Sequence, residues 1–82
     1  MNREWILCHL REAQEELTRT ISQIESEPDY DEIEFEIAMA HMYDHLNTGW
    51  NSRTIDHERI ATGSEDDFYA WRAFPTDIPL GR

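Results

Sequence analysis

A single proline interrupts the first 48 residues of this 82-residue chain, and no glycine occurs before Gly49. Glycine and proline are the residues that most often break or end helices, so their scarcity favours long helical segments. Pro28 disfavours helical geometry at the residue before it, which makes it a natural break between two such segments. The sequence therefore predicts an all-α fold built on a long antiparallel helical hairpin.

The first predicted helix runs from about Arg3 to Ser26, with Asn2 as its N-cap. At about 100° per residue, its apolar side chains fall on one stripe and its charged side chains point away from that stripe. We therefore expect this helix to be buried on one side only. The predicted stripe consists of Ile6, Leu7, Leu10, Ala13, Leu17, Ile21 and Ile24.

The second predicted helix begins close to Pro28, where Asp29 can cap the free backbone amides and Glu32 can complete a capping box. It ends either at Gly49, as a left-handed cap, or near Arg53. This helix carries two apolar stripes on roughly opposite sides, so it must be covered on two sides. The first stripe contains Tyr30, Ile33, Ile37 and Ala40, and the second contains Phe35, Ala38, Met39, Met42, Tyr43, Leu46 and Trp50.

The hairpin, at about residues 3–53, is followed by a short C-terminal unit of the same single domain, at about residues 54–82. Residues 54–61 are compatible with a helical turn. Ser64, with Asp67 three residues later, is a typical helix start and predicts a third helix over Glu65–Ala73. Its aromatic side chains should dock over the second stripe of the hairpin or on another chain. Prolines 75 and 79 predict an extended tail over residues 76–82.

Acidic side chains outnumber Lys and Arg by 18 to 7, which gives a net charge of −11. Residues 29–46 alone carry six acids and no Lys or Arg. Such a charge argues against direct binding to nucleic acid or to an anionic membrane. The longest apolar runs fall short of the ~18 residues of a membrane span, and the N-terminal segment has no signal-peptide core, so we expect a cytoplasmic protein.

His41 and His45 are four residues apart and therefore lie one above the other on the second helix. In an antiparallel hairpin that turns near residues 27–29, residues whose numbers sum to about 57 face each other. This register places Glu16 opposite His41, and Glu12 opposite His45. Two imidazoles and two carboxylates are suitable ligands for Zn²⁺ or another divalent ion. The sequence thus offers a candidate metal site, and hydrogen bonds between His and Glu without metal are the alternative.

Catalytic residues are not predicted. Residues 39–46 combine imidazole, carboxylate and phenol groups, which are the groups of acid-base chemistry, but no nucleophile completes them. The single cysteine, Cys8, cannot form an internal disulfide and has no cationic cluster beside it to stabilise a thiolate. No cofactor is expected apart from the candidate metal.

Three functions are compatible with these features. The leading hypothesis is a non-catalytic protein–protein interaction or regulatory module, because an acidic surface and an excess of apolar and aromatic area favour protein binding. The alternative is a metal-binding helical protein that uses His41 and His45. A third hypothesis is an acidic mimic of nucleic acid, in which the carboxylates of residues 29–36 occupy the basic groove of a DNA- or RNA-binding protein.

The second stripe of the second helix also predicts self-association, because the single stripe of the first helix cannot cover both sides. Two hairpins can pair into a four-helix bundle about a two-fold axis, which makes a homodimer the expected assembly, with another protein as a further partner. The predicted interaction surface consists of Phe35, Met39, Met42, Leu46, Trp50, Phe68 and Trp71.

Overall fold

The computed structural model describes residues 1–81, which form four helices. Helix α1 spans Arg3–Ser26, α2 spans Glu32–Asn51, α3 spans His57–Ala61 and α4 spans Glu65–Trp71. Helix makes up 69% of the structure, and no strand occurs among residues 1–81. The two long helices pack against each other as a hairpin, so the predicted all-α architecture is confirmed.

Helix α1 has the predicted bounds, because Asn2 caps it. The Asn2 side chain accepts a hydrogen bond from the Trp5 backbone amide at 3.2 Å. Asn2 also holds the start of α1 against the segment that follows α2. Its backbone amide donates to the Arg53 carbonyl at 2.8 Å, and its side-chain amide donates to the Ile55 carbonyl at 3.0 Å. One residue therefore both starts a helix and closes the open end of the hairpin.

Helix α2 begins later than predicted, because Asp31 and not Asp29 is its N-cap. The Asp31 carboxylate accepts from the Glu34 amide at 2.9 Å. The turn between the helices accounts for the difference: the Tyr30 amide donates to the Glu27 carbonyl at 3.0 Å, so residues 28 and 29 belong to the turn. At its other end, α2 continues through Gly49 to Asn51, and the left-handed cap at Gly49 was the wrong alternative.

Small side chains line the contact between α1 and α2. Ala13 and Thr20 of α1 are buried, as are Ala38 and Gly49 of α2. At Gly49, an added methyl group would lie 3.6 Å from Cβ of His9, so the two helices approach closely at this point. We call this line of contact the seam.

Most of the large apolar side chains of α1 do not lie in the seam, which corrects the predicted burial of the α1 stripe. Ala13 is buried and Ile6 is half-buried, but the other members of the stripe are 44–52% exposed. The reason is geometric: the seam follows the small residues, and the bulkier side chains lie along its edge. The exposed members are Leu7, Leu10, Leu17, Ile21 and Ile24.

Helix α4 packs on the outer side of α2, away from α1. The Asn47 side-chain amide donates to the Arg72 carbonyl at 3.1 Å, and the Asn51 side-chain amide donates to the carbonyls of Trp71 and Ala73 at 2.7 and 2.6 Å. These bonds satisfy carbonyls that the end of a helix leaves free. The Trp71 ring is buried in this contact.

The predicted start of α4 is confirmed. Ser64 and Asp67 form a capping box, in which each side chain accepts from the backbone amide of the other. The helix ends at Trp71, two residues before the predicted end.

The C-terminal tail folds back on the end of α2. The Trp50 ring nitrogen donates to the Asp77 carboxylate at 2.8 Å, and the Arg53 guanidinium lies 3.6 Å from the same carboxylate and over the Trp50 ring. Bends and turns, with no helix or strand, make up residues 72–81, and Arg82 lies outside the described residues. None of the four helices over residues 1–81 combines the length and the apolar character needed to cross a membrane.

The first prediction from the fold concerns Gly49, which occupies an ordinary helical position without a positive φ angle. Because a methyl group there would meet His9 at a normal van der Waals distance of 3.6 Å, Gly49→Ala should fit without displacing α1. Alanine also costs less backbone entropy than glycine in a helix, so we expect the free energy of unfolding to rise by about 0.5–1 kcal/mol. Urea denaturation followed by circular dichroism measures this change.

The matched variant is Gly49→Leu, which adds a branched side chain to the same narrow space and should lower stability by about 1–3 kcal/mol. A loss of stability in the alanine variant would show that the seam is tighter than its geometry indicates.

Candidate interaction surface

One side of the hairpin presents a shallow groove of about 690 Å³ that is apolar for almost its whole length. Arg11 is the one charged residue among the ten that line it. We call this surface the apolar face. Its lining residues are Leu7, Leu10, Arg11, Ala13, Gln14 and Leu17 of α1, together with Met39, Met42, Tyr43 and Leu46 of α2.

The apolar face arises because the stripes of both helices emerge on the same side of the seam. On α1, Leu7 and Leu10 are three residues apart and Leu17 follows seven residues later, and on α2 the gaps between Met39, Met42 and Leu46 are three and four residues. Gaps of three, four and seven residues keep each set on one side of its helix. Since the two helices run side by side, their stripes combine into one continuous surface.

The side chains of the apolar face are only partly shielded from solvent. Leu10, Leu17 and Leu46 are 45%, 50% and 45% exposed, whereas Met42 lies buried at the floor of the groove. Exposed apolar surface that is contiguous, and not scattered as single residues, is typical of a binding site. The same stripes continue toward the turn, where Ile21, Ile24 and Phe35 are also 42–52% exposed.

Three of the seven predicted interaction residues lie in the groove: Met39, Met42 and Leu46. Phe35 lies one turn before Met39 on the same stripe and is 42% exposed.

The three C-terminal members of the predicted surface lie elsewhere. Trp71 is buried against α2, and the Phe68 ring packs edge-on against it with 5.1 Å between ring centroids. Trp50 is held by Asp77 and Arg53 of its own chain. Helix α4 therefore packs on other parts of α2. Phe74, which follows α4, reaches the border of the apolar face, where its ring packs edge-on against Tyr43 with 5.0 Å between ring centroids. The leucines of the face remain about half exposed.

The sequence pattern does not predict the leucines of α1 as part of an interaction surface, because it assigns their stripe to the contact with α2. A signal for the correct assignment exists in the sequence. Ala13 and Thr20 of α1, and Ala38 and Gly49 of α2, are small residues with helical spacing. Small residues allow two helices to approach closely. A line of small residues can therefore form the contact between two helices in place of a leucine stripe.

The first stripe of α2 is also less covered than predicted. Ile33 and Ile37 are 67% and 54% exposed, and they lie on the side of α2 away from the groove. These two residues are neighbours on the surface of α2 and form a small apolar patch, and exposed apolar residues of this kind are common on soluble proteins. They offer a natural control for substitutions in the apolar face.

A histidine pair lies in the seam near the open end of the hairpin. Nδ1 of His9 and Nδ1 of His45 are 3.0 Å apart, which is hydrogen-bond distance. His9 also packs edge-on against the Trp5 ring, whose nitrogen donates to the Ser52 hydroxyl at 2.7 Å. His9 was not singled out from the sequence, because nothing in the local pattern distinguishes it before the rotation of α1 is known.

The chemistry of this pair follows from its hydrogen bond. One Nδ1 must donate and the other must accept, so the contact is lost when both rings are protonated. Nε2 of His9 is buried and has no hydrogen-bond partner, which favours the tautomer with the proton on Nδ1. Burial lowers the pKa of His9 below its ordinary value of 6.5, and the neighbouring His45 lowers this pKa further. Asp44 and Glu12 oppose the shift.

The four predicted metal ligands are not gathered into one cluster, and His41 and His45 contact different side chains. Nδ1 of His41 lies 3.9 Å from the Glu16 carboxylate, as the predicted register requires, whereas His45 faces His9. Glu16 also accepts from Arg19 at 2.7 Å. Among residues 1–81, no group of three or more His, Cys, Asp or Glu side chains is arranged to hold a metal ion. The site formed by His41, His45, Glu12 and Glu16 therefore stays a prediction.

The His9 pKa predicts how stability depends on pH. In the unfolded chain His9 titrates near 6.5, and in the folded chain it titrates lower, so between these two pKa values only the unfolded chain holds the proton. The stabilising contribution is complete above pH 6.5 and is lost as the pH falls through the folded pKa. We expect the free energy of unfolding to decrease between pH 7 and pH 5, measured by urea denaturation at each pH.

His9→Gln should reduce the slope of this pH dependence. His57→Gln is the control, because His57 is largely exposed on α3 and its one ion pair, with Glu4, is also exposed. An unchanged slope in the His9 variant would assign the pH dependence to other groups.

Zinc binding has a direct test. Since the described residues do not assemble three ligands, we expect stoichiometric Zn²⁺ to leave the melting temperature of untagged protein unchanged. A bound metal would raise it, because ligands that bind only the folded state stabilise that state. An increase that His41→Ala abolishes would instead establish the predicted metal site.

Comparison with known proteins gives no relative for this chain: no family, no curated protein and no solved structure matches it. The contacts, exposure and charge of its own residues are therefore the basis of its proposed function.

Proposed function

We propose that the protein is a non-catalytic, cytoplasmic protein–protein interaction module that uses the apolar face as its contact surface. The observation that carries this proposal is the distribution of apolar side chains. Only Ala13, Ala38, Met42 and Trp71 are buried apolar residues within the described part of the chain. The leucine side chains of the hairpin are about half exposed and lie together on one side of it.

Covering the apolar face is energetically favourable. Full burial of a leucine side chain contributes about 1.5–3 kcal/mol, so completing the burial of a half-exposed leucine contributes roughly 1 kcal/mol. Leu10, Leu17 and Leu46 are all in this state, and Leu7 is 44% exposed as well. A docking surface with several such residues clustered around a buried floor resembles the centre of known protein interfaces.

The charge distribution supports the same function. The chain carries a net charge of −11, yet the groove lining contains one charged residue, Arg11. A partner that docks there removes few charges from water, so the desolvation cost is small. The surrounding acidic surface keeps the open form soluble and disfavours contacts with unrelated acidic surfaces. A homodimer and a complex with a different protein are both forms that this module can take.

The test is the accessibility of a single cysteine in living cells. In a Cys8→Ser background, Leu17→Cys places a thiol in the apolar face and Ile33→Cys places one on the far side of α2. The two positions are 50% and 67% exposed, so in dilute purified protein both thiols should react with a maleimide at similar rates. In the cells that produce the chain, we expect the labelling rate of Leu17→Cys to be at most about one tenth of its rate in dilute purified protein. The reason is that a covered thiol reacts only when its complex opens.

Ile33→Cys serves as the internal control, because changes in expression or reagent uptake alter both rates equally. Equal labelling of the two variants in cells would contradict the proposal, since it would show that no partner covers the apolar face there.

A further inference from the structure

We infer that the occupant of the apolar face is a second copy of this chain, docked about a two-fold axis that runs parallel to the long helices. In this arrangement α1 of each copy lies on α2 of the other, and the two hairpins form a four-helix bundle. The inference rests on the proposed function, because it names the partner of the same face.

The surface area of the chain supports an interface of this size. Its accessible surface is 6418 Å². A compact monomer of 9.8 kDa exposes about 5,200 Å², so this chain exposes roughly 1,200 Å² more than a protein of its mass normally does. A standard interface buries about 800 Å² on each partner. The excess is therefore large enough to supply one full side of a stable dimer.

The shape of the chain leads to the same conclusion. The radius of gyration is 14.7 Å, whereas a compact domain of 82 residues has a value near 12 Å. The buried apolar core is confined to four side chains among residues 1–81, two of which are alanines. Chains of this size often need another subunit, a disulfide or a metal to reach ordinary stability. A second copy supplies the missing apolar contacts from the same gene product.

The apolar face is complementary to itself. It consists of two adjacent stripes, one on α1 and one on α2, and a two-fold axis parallel to the helices lays the first stripe on the second. Such an axis keeps each residue at its own height along the bundle. Across the seam Leu17 lies at the level of Met39 and Leu10 at the level of Leu46, since Glu16 is opposite His41. In the dimer, Leu17 of one copy therefore lies at the level of Met39 of the other copy, and Leu10 lies at the level of Leu46. The apolar side chains of the two copies thus form matched layers.

Charge distinguishes this arrangement from the one in which like helices stack. Helix α2 carries four carboxylates and no Lys or Arg, so stacking α2 on α2 would bring two purely acidic helices together. Helix α1 contributes Arg11, which lies on the apolar face. Pairing α1 with α2 therefore reduces repulsion and places a guanidinium beside the more acidic helix.

Overall repulsion between two chains of charge −11 opposes the dimer at low salt. Since the groove lining is almost uncharged, the repulsion comes from outside the contact and is screened by salt. We therefore expect the dissociation constant to fall as the salt concentration rises from about 0.01 to 0.5 M. A complex with a basic protein would show the opposite dependence.

Sedimentation equilibrium of the full chain across micromolar concentrations tests the inference. We expect a mass of twice 9.8 kDa for the unsubstituted protein. Leu10→Gln with Leu17→Gln should weaken the dimer by about 100-fold or more, because four leucines per dimer lose their burial. Ile33→Gln with Ile37→Gln makes the same chemical change at similarly exposed positions outside the groove, and should change the dissociation constant less than about threefold.

A mass of 9.8 kDa at every concentration would overturn the inference, as would a dimer that both double variants weaken equally. If the leucine variant does not fold, the Leu17→Cys variant in the Cys8→Ser background replaces it. Its labelling rate should fall about tenfold between nanomolar and high micromolar protein, as the dimer forms, while the rate of Ile33→Cys stays constant. A rate for Leu17→Cys that is independent of concentration would also overturn the inference.

The orientation is tested by mixing two single-cysteine variants, Leu17→Cys and Met39→Cys, each with Cys8→Ser. A short bifunctional maleimide should join the two different chains far more efficiently than it joins two identical ones. Predominant crosslinking between identical chains would instead show that like helices stack.

The cell-labelling experiment separates this inference from the proposed function. Protection of Leu17→Cys in cells, combined with a monomer in purified form, means that a different protein covers the face. The proposed function then stands and the second copy is excluded.

Discussion

The close contact between α1 and α2 is the interaction on which the rest of the structure depends. Small residues at the seam, such as Ala13, Ala38 and Gly49, let the helices approach closely. Packing small side chains against each other leaves no room there for leucines. The leucines of α1 consequently lie at the edge of the seam, beside the methionines of α2, and the hairpin gains an apolar face in place of a deep core.

The C-terminal unit completes the hairpin and reaches that face at its border, where the Phe74 ring packs edge-on against Tyr43. Asn47 and Asn51 of α2 bind the carbonyls at the end of α4, and Asp77 of the tail binds Trp50. These contacts occupy the outer side of α2 and its C-terminal end. Because α1 occupies the seam side, the part of α2 that carries Met39 and Leu46 remains open. Helix α2 thus carries both acidic side chains and part of the open apolar face. Any partner must cover the apolar side chains and also be compatible with the neighbouring carboxylates.

Features set by local chemistry could be predicted from the sequence. The bounds of α1, the capping box at Ser64 and the register that places Glu16 opposite His41 all follow from caps, breakers and turn length. Features set by the rotation of a helix about its own axis could not be predicted from the sequence. A helical wheel shows that a leucine stripe exists, but it does not show which neighbour covers that stripe. In this protein the small residues, and not the leucines, form the contact between α1 and α2. The His9–His45 contact was missed for the same reason.

The seam and the apolar face are mechanically linked near the open end of the hairpin. Leu10 and Leu46 directly follow His9 and His45 in sequence, so the distance between the two histidines also sets the width of the groove at those leucines. The close approach at Gly49 acts at the same level, since its nearest neighbour across the seam is His9. A change that pushes the helices apart there would widen the groove and alter the fit of its occupant. The polar pair in the seam therefore contributes to the shape of an apolar surface that it does not touch.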